Sequence, residues 1–185
     1  MATKKWMVAS DLHGSILYAN KMIEAYKKEE ADKLILLGDL LYHGPRNDLP
    51  VEYKPKEVIK VLNDNKEDIL CVRGNCDAEV DQMVLEFPIV ADYALLESEG
   101  IDIFATHGHV YNENKLPKMA KKFILLHGHT HVPKCVENEN YIYMNPGSMT
   151  IPKEGSHHGY MLIEGNKFTW KDFDGNIINE YTYKG

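Results

Sequence analysis

Three short apolar runs in the first half of the chain each stop at a small cluster of glycine and polar residues. Trp6-Met7-Val8-Ala9 runs into Ser10-Asp11-Leu12-His13-Gly14, Leu34 to Leu37 into Gly38-Asp39, and Ile69 to Val72 into Arg73-Gly74-Asn75-Cys76-Asp77. The Leu-Ile-Leu-Leu run is apolar without a break, the pattern of a strand buried on both faces. A strand over Lys5 to Ser10 and others over Lys33 to Leu37 and Ile69 to Val72 are therefore expected. Between them the pattern changes to helical spacing. Ile16, Ala19, Ile23 and Tyr26 recur at three- and four-residue steps within Ser15 to Glu30, and Lys21, Lys27 and Lys28 lie mostly off that stripe. A second helix opens at Pro55, a residue suited to the first helical position, and runs to Asn63. Strand, helix, strand, helix, strand at this spacing implies parallel strands with right-handed crossovers. Tyr42 to Lys54, rich in glycine, proline and asparagine, reads as a loop.

The second half has a different grammar. Tyr93 to Glu97 and Ile101 to Ala105 flank Ser98-Glu99-Gly100 and read as a hairpin. Its second strand runs into Thr106-His107-Gly108-His109. A short helix is expected over Leu116 to Lys122, then a strand over Phe123 to Leu126 that ends in His127-Gly128-His129-Thr130-His131. Two more hairpins turn at Asn138-Glu139-Asn140 and at Asp174-Gly175. No repeat or linker is present, so the 185 residues read as one domain of two packed sheets with helices outside.

Seven residues stand just beyond the ends of these strands: Asp11, His13, Asp39, Asn75, His107, His129 and His131. In open α/β sheets ligands bind at the carboxyl ends of strands. Asp11 and His13, two residues apart at a strand's end, are expected to point to the same side, because side-chain direction alternates along a strand. Neighbouring strands lie about 4.8 Å apart, and paired metals in hydrolytic sites about 3.5–4 Å apart. One carboxylate from a central strand could therefore bridge two ions. The mixed oxygen and nitrogen set suits Mn²⁺, Fe²⁺, Zn²⁺ or Ni²⁺ better than Ca²⁺. Taken singly, each residue has a plainer explanation: Asp39 as a helix cap, Asn75 as a turn residue, a histidine as a hydrogen-bonded core group. Seven such residues at strand ends together do not.

Asp11-x-His13, Gly38-Asp39, Gly74-Asn75, Thr106-His107-Gly108-His109 and Gly128-His129-Thr130-His131 together resemble the signature of calcineurin-like binuclear metallophosphoesterases. The likeness runs from the first strand to Asn145-Pro146-Gly147-Ser148, most of the chain. His43-Gly44-Pro45-Arg46-Asn47 and the stretch from Arg73 to Gln82 resemble a branch of small bacterial phosphodiesterases within it. The resemblance implies a four-layer αββα sandwich of two mixed β-sheets flanked by helices, and a Mn²⁺-stimulated phosphodiesterase acting on a small phosphodiester. It also implies that Asp11, His13 and His131 hold one ion, that Asn75, His107 and His129 hold the other, and that Asp39 bridges them. A hydroxide between the ions would attack phosphorus in line. Many relatives carry histidine after the asparagine, as a candidate leaving-group acid; here Cys76 stands there. Cys76 would donate that proton or shape the pocket. His109 is the other candidate acid, or orients the site through a hydrogen bond. Arg46 would fork onto a substrate phosphate or sit in a surface salt bridge. His127, His157 and His158 are expected to be bystanders.

Composition bounds partners and compartment. A net charge of −7 argues against long nucleic acids, which need a basic, aromatic-studded surface, and no apolar run approaches a membrane span. Cys71, Cys76 and Cys135 form no paired spacing, which with the lack of an apolar leader before Asp11 fits a reducing cytoplasm. Small relatives suggest a homo-oligomer, dimer or tetramer. The competing reading is a non-catalytic scaffold, since a retromer subunit shares the fold with an altered ligand set. A nuclease acting on a dinucleotide or cyclic nucleotide is a third.

Overall fold

The computed structural model describes residues 3–184. Eleven strands form two sheets. The strands are β1 (Lys5–Ala9), β2 (Lys33–Leu36), β3 (Ile69–Cys71), β4 (Tyr93–Ser98), β5 (Ile101–Thr106), β6 (Phe123–His127), β7 (Lys134–Glu137), β8 (Tyr141–Asn145), β9 (Gly159–Glu164), β10 (Lys167–Asp172) and β11 (Ile177–Thr182). Helix α1 spans Ile16–Lys28 and α2 spans Pro55–Asn63. The six-stranded sheet has the order β11-β10-β9-β1-β2-β3 and the five-stranded sheet β4-β5-β6-β8-β7.

Both sheets are mixed. β1, β2 and β3 are parallel, as the strand–helix spacing requires, but β9 pairs antiparallel with β1 and brings the C-terminal meander into the same sheet. In the other sheet β5, β6 and β8 run parallel, with β4 and β7 antiparallel at its edges. The β9–β10 hairpin is not foreseen from the sequence. Tyr160 to Ile163 is a continuous apolar run, which periodicity alone does not assign.

Alternation on the strands decides which layer each side chain enters. Met7, Ala9, Leu34 and Leu36 face α1 and α2 together with Met22, Val58 and Leu62. Val8, Ile35 and Leu37 face the other way, against Ile103, Ile124, Met144 and Met161, and fill the space between the sheets. Both faces of β1 and β2 are thus buried, the reason those runs are apolar throughout. Ser15 caps α1 by accepting from the Tyr18 amide at 3.5 Å, and Lys27 and Lys28 occupy its last turn, where cations complement the dipole. Pro55 opens α2.

The far face of the five-stranded sheet is covered by Tyr111 and Met119 packing on Phe104, Phe123 and Leu125. The helix expected over Leu116 to Lys122 is not formed; that segment is irregular. Seven residues containing Pro117 and three lysines are too short to hold a helix without a broad apolar face. Among the described residues no helix is long and apolar enough to cross a membrane.

Candidate functional site

The chain between the ends of β1 and α1 is locked to the chain that follows β2. The amides of Asp11, His13 and Gly14 donate to the carbonyls of Gly38, Asp39 and Leu40 at 3.2, 2.9 and 2.9 Å. β1 has already ended at Ala9, so strand alternation does not aim Asp11 and His13. Their backbone does: Asp11, His13, Asp39, His129 and His131 all have positive φ, between 51° and 65°. They make up five of the nine non-glycine residues with positive φ among those described. Left-handed backbone at non-glycine residues is uncommon, and it gathers at functional sites.

The loops meet at very short range, which explains the glycines. A Cβ on Gly74 would lie 2.1 Å from Asp39 Oδ1 and 2.3 Å from its amide nitrogen. One on Gly128 would lie 1.9 Å from Ser10 Oγ and 2.7 Å from Asp11 Oδ2. Any larger residue would push the loops apart.

All seven strand-end residues are brought together. His13 Nε2 and His131 Nε2 face each other at 3.3 Å, and both face Asp11 Oδ1, at 3.7 and 3.2 Å. His107 Nε2 lies 3.0 Å from Asn75 Oδ1 and 3.2 Å from His129 Nδ1. Asp39 Oδ2 sits between the two groups, 3.7 Å from His13 Nε2 and 3.5 Å from His107 Nε2. Three of the rings are fixed from behind. His13, His107 and His131 each donate Nδ1–H to a main-chain carbonyl, of Tyr42, Leu37 and Ile151, at 2.8, 2.7 and 2.7 Å. That leaves Nε2 with its lone pair turned into the site, the usual arrangement of a metal-ligating imidazole.

The charges follow. Burial works to raise Asp11, but His13 and His131 outweigh it and hold the carboxyl well below the usual range. Burial and the neighbouring His107 push His129 down to about 4, so its ring is neutral at pH 7. Asp11 Oδ1 is buried and has no hydrogen-bond donor among the described residues. A buried carboxylate oxygen beside two imidazole Nε2 atoms is a position that a cation can occupy. Asp11, His13 and His131 form one set able to hold a metal ion, and Asp11, Asp39 and His107 another. His13, Asp39 and Cys76 form a third, which brings the thiol within reach of the centre.

A residue not singled out from the sequence holds this frame. Asp77 accepts from the amides of Asp39, Leu40 and Gly74 at 2.8, 2.8 and 2.7 Å, tying the loop after β2 to the loop after β3. On the other side Ser148 Oγ donates to the Asp11 carbonyl and Thr150 Oγ1 to the Leu12 carbonyl, at 2.9 and 2.8 Å. Asn145 holds the next loop, donating to the Gly128 carbonyl at 2.8 Å.

Arg46 and Cys76 line a cavity of about 430 Å³ together with His13, Asp39, Asn75, His129 and His131. Burial and then the charge of Asp39 push the Cys76 thiol far up, so it keeps its proton. His109 is not among the residues lining the cavity; its ring packs edge-on against His107, centroids 5.4 Å apart. Two of the remaining histidines have structural partners. His127 Nε2 meets Glu113 at 2.7 Å, and His158 stacks on Tyr18 and donates to the Met149 carbonyl.

Two sheets closed around a centre of buried carboxylates and imidazoles at their strand ends define a metallophosphoesterase fold. The calcineurin-like phosphoesterase superfamily domain matches residues 5–167, and the chain belongs to that family. It is 41% identical over 162 residues to phosphodiesterase YfcE of Escherichia coli strain K12, covering 88% of each chain. The solved structure of that phosphoesterase superposes with a TM-score of 0.92 at 38% identity, over 96% of this chain and 98% of that one. Phosphodiesterase MJ0936 of Methanocaldococcus jannaschii is 25% identical over 150 residues, 76% of this chain and 81% of that protein. Vacuolar protein sorting 29 of Cryptosporidium parvum shares the fold, with a TM-score of 0.62 at 17% identity over 99% of this chain and all of that one.

Proposed function

We propose that the chain is a metal-dependent phosphodiesterase acting on a small phosphodiester, with Mn²⁺ as the metal that serves it best. Asp11, His13 and His131 hold one divalent ion, and Asn75, His107 and His129 hold a second. Asp39 contributes to both. The observation that carries this reading is the position of Asp39 Oδ2, 3.7 Å from one cluster's imidazole nitrogen and 3.5 Å from the other's. Ions bound there supply a nucleophile at neutral pH and offset charge on the phosphoryl oxygens.

The remaining work falls to the protein's own side chains. The backbone hydrogen bonds behind His13, His107 and His131 hold three rings in the tautomer that can ligate. Arg46 reaches the phosphoryl oxygens from the cavity wall, where its fork of donors suits a phosphate. Cys76, protonated and facing the cavity, gives its proton to the departing oxygen, and its Sγ becomes the thiolate. His109 acts through His107, which it packs against. The free state of all three cysteines supports a reducing compartment.

The test is an assay of the purified protein on bis(4-nitrophenyl) phosphate. Mn²⁺ should support turnover and a chelator should abolish it, with recovery when Mn²⁺ is returned in excess. If no divalent metal supports hydrolysis of any phosphoester, the family fold is used here as a scaffold.

A further inference from the structure

We propose that Lys153 is a second anion-binding group of this cavity, and that the substrate is a diester one of whose arms carries a further phosphate or carboxylate. The inference rests on the phosphodiesterase reading above. It begins from charge. The chain carries a net charge of −7. Yet apart from the candidate metal ligands, the charged side chains lining the cavity are two cations, Arg46 and Lys153. Eight other basic side chains pair with carboxylates elsewhere on the surface: Lys54, Lys60, Lys66, Arg73, Lys121, Lys122, Lys167 and Lys171. Among the described residues neither Arg46 nor Lys153 has such a partner, and both are exposed; other lysines such as Lys56, Lys118 and Lys134 also lack one, so what sets these two apart is their place in the cavity wall.

The main chain holds both in place. The Lys153 amide donates to the carbonyl of His131 at 3.1 Å, so this lysine is one hydrogen bond from a candidate ligand of the first ion. Its own carbonyl accepts from Ser156, from Oγ at 2.6 Å and from the amide at 3.0 Å. The turn between them is tight, with Glu154 and Gly155 at φ 55° and 70°. Arg46 lies in another turn, Gly44 to Asn47, closed by the Asn47 side chain on the His43 carbonyl at 2.8 Å. Gly44 in that turn abuts Cys76: a Cβ there would lie 3.2 Å from Sγ. One cation therefore stands on the His131 side of the cavity and the other on the Cys76 side.

The charge balance leaves room for a second anion. Asp11, Asp39, an attacking hydroxide and a monoanionic diester together match the charge of two divalent ions. Arg46 and Lys153 are then left over at the cavity wall, beyond what the reacting phosphate neutralises. Arg46 forks onto the phosphate undergoing attack. Lys153, a point charge on a long flexible stem, suits a second anion of variable position. A substrate with two neutral arms leaves it unused.

Three 4-nitrophenyl diesters test this, with methyl, 2-carboxyethyl or 2-phosphoethyl as the second arm. The protein should favour the charged arms over methyl, and the stronger of the two charged arms identifies the anion. Lys153→Gln should cut that preference roughly tenfold or more, through KM rather than kcat, and Lys153→Arg should restore most of it. A preference that is absent in the wild type, or unchanged in Lys153→Gln, overturns the proposal. A second measurement does not depend on turnover: calorimetric binding of phosphoglycolate and of methyl phosphate to the Mn²⁺-treated protein. Lys153→Gln should weaken phosphoglycolate at least tenfold more than methyl phosphate; equal weakening of the two overturns the second site. Hydrolysis of no diester at all, with phosphoglycolate binding still dependent on Lys153, would keep the anion site and reject the phosphodiesterase reading.

Discussion

At the scale of single residues, the departure of the leaving group separates Cys76 from its neighbours. Metal ions can supply a nucleophile and offset charge, but they do not protonate an alkoxide. A phenolate such as 4-nitrophenolate leaves without a proton; a simple alcohol does not. Cys76→Ala should therefore slow a diester with an alkyl leaving group by roughly 10²–10⁴-fold, the usual worth of general acid catalysis, and slow the aryl diester far less. The measurement is the ratio of the two losses in kcat/KM. A ratio near one would show that Cys76 only shapes the cavity. The seven strand-end residues were legible from the sequence, because carboxylate, imidazole and amide beside glycine at strand ends is a pattern in residue types. What was not legible is what aims them. Asp77 and the carbonyls of Leu37, Tyr42 and Ile151 act through contacts spanning up to 70 residues, and carbonyls are present at every position, so no residue type marks them.

Single elements were most legible where the period was long and the ends were marked. α2 begins and ends at the residues expected, and α1 differs from its expected span by one residue at the start and two at the end. The failures were β9, a short apolar run whose pairing with β1 and β10 decides its conformation, and the lysine-rich segment Leu116 to Lys122, whose Met119 is fixed by packing rather than by helix formation. One contact ties α1 to that unforeseen hairpin. Glu29, at the C-cap of α1, accepts from Tyr160 of β9 at 2.8 Å and pairs with Lys171 of β10. Burial works to raise the Glu29 carboxyl, but the hydrogen bonds from Lys171 and Tyr160 outweigh it and hold it below its ordinary value of 4.5. Because the folded value is depressed, the stabilisation is fully present above about pH 4.5. It is lost as the pH falls through the lower folded value. Glu29→Gln should cost about 1–3 kcal/mol at pH 7, measured by urea unfolding, and the gap from wild type should close on acidification below the ordinary value. A gap that stays constant between pH 7 and pH 3 would mean the carboxylate charge contributes nothing to docking α1 on the hairpin.

For the whole molecule, the metal centre and the fold are one thermodynamic object. The loops after β1, β2, β3, β5 and β6 bring groups able to ligate a cation into contact with one another. His13 Nε2 faces His131 Nε2 at 3.3 Å and His107 Nε2 faces Asn75 Oδ1 at 3.0 Å, while the rings spend their Nδ1 protons on main-chain carbonyls. In the neutral rings the Nε2 lone pairs repel one another unless a cation lies between them. The unfolded chain does not assemble these groups, so a divalent ion binds the folded state in preference and must stabilise it by mass action. At a hundred times its dissociation constant, one ion adds about 2.7 kcal/mol. In a protein of 185 residues each kcal/mol moves Tm by about 2–4 °C, so each ion should raise Tm by roughly 5–11 °C. Mn²⁺ titration followed by calorimetry measures the rise, and elemental analysis gives the ions retained. The two aspartates should differ. Asp39→Asn should lose most of the rise and most of both ions, because its oxygen lies within 3.7 Å of an imidazole nitrogen in each cluster. Asp11→Asn should keep the ion at Asn75, His107 and His129, bound more weakly because Asp11 also lies within ligand distance of Asp39 and His107, and with it at most about half of the rise. Both variants should fold without metal, since an asparagine carbonyl at position 39 can still accept from the Cys76 amide, now 2.7 Å from Asp39 Oδ1. Two retained ions and a full rise in Asp39→Asn would remove Asp39 from its place between the clusters. The same result in Asp11→Asn would reassign the first ion to the set of His13, Asp39 and Cys76, where the thiol is already within ligand distance.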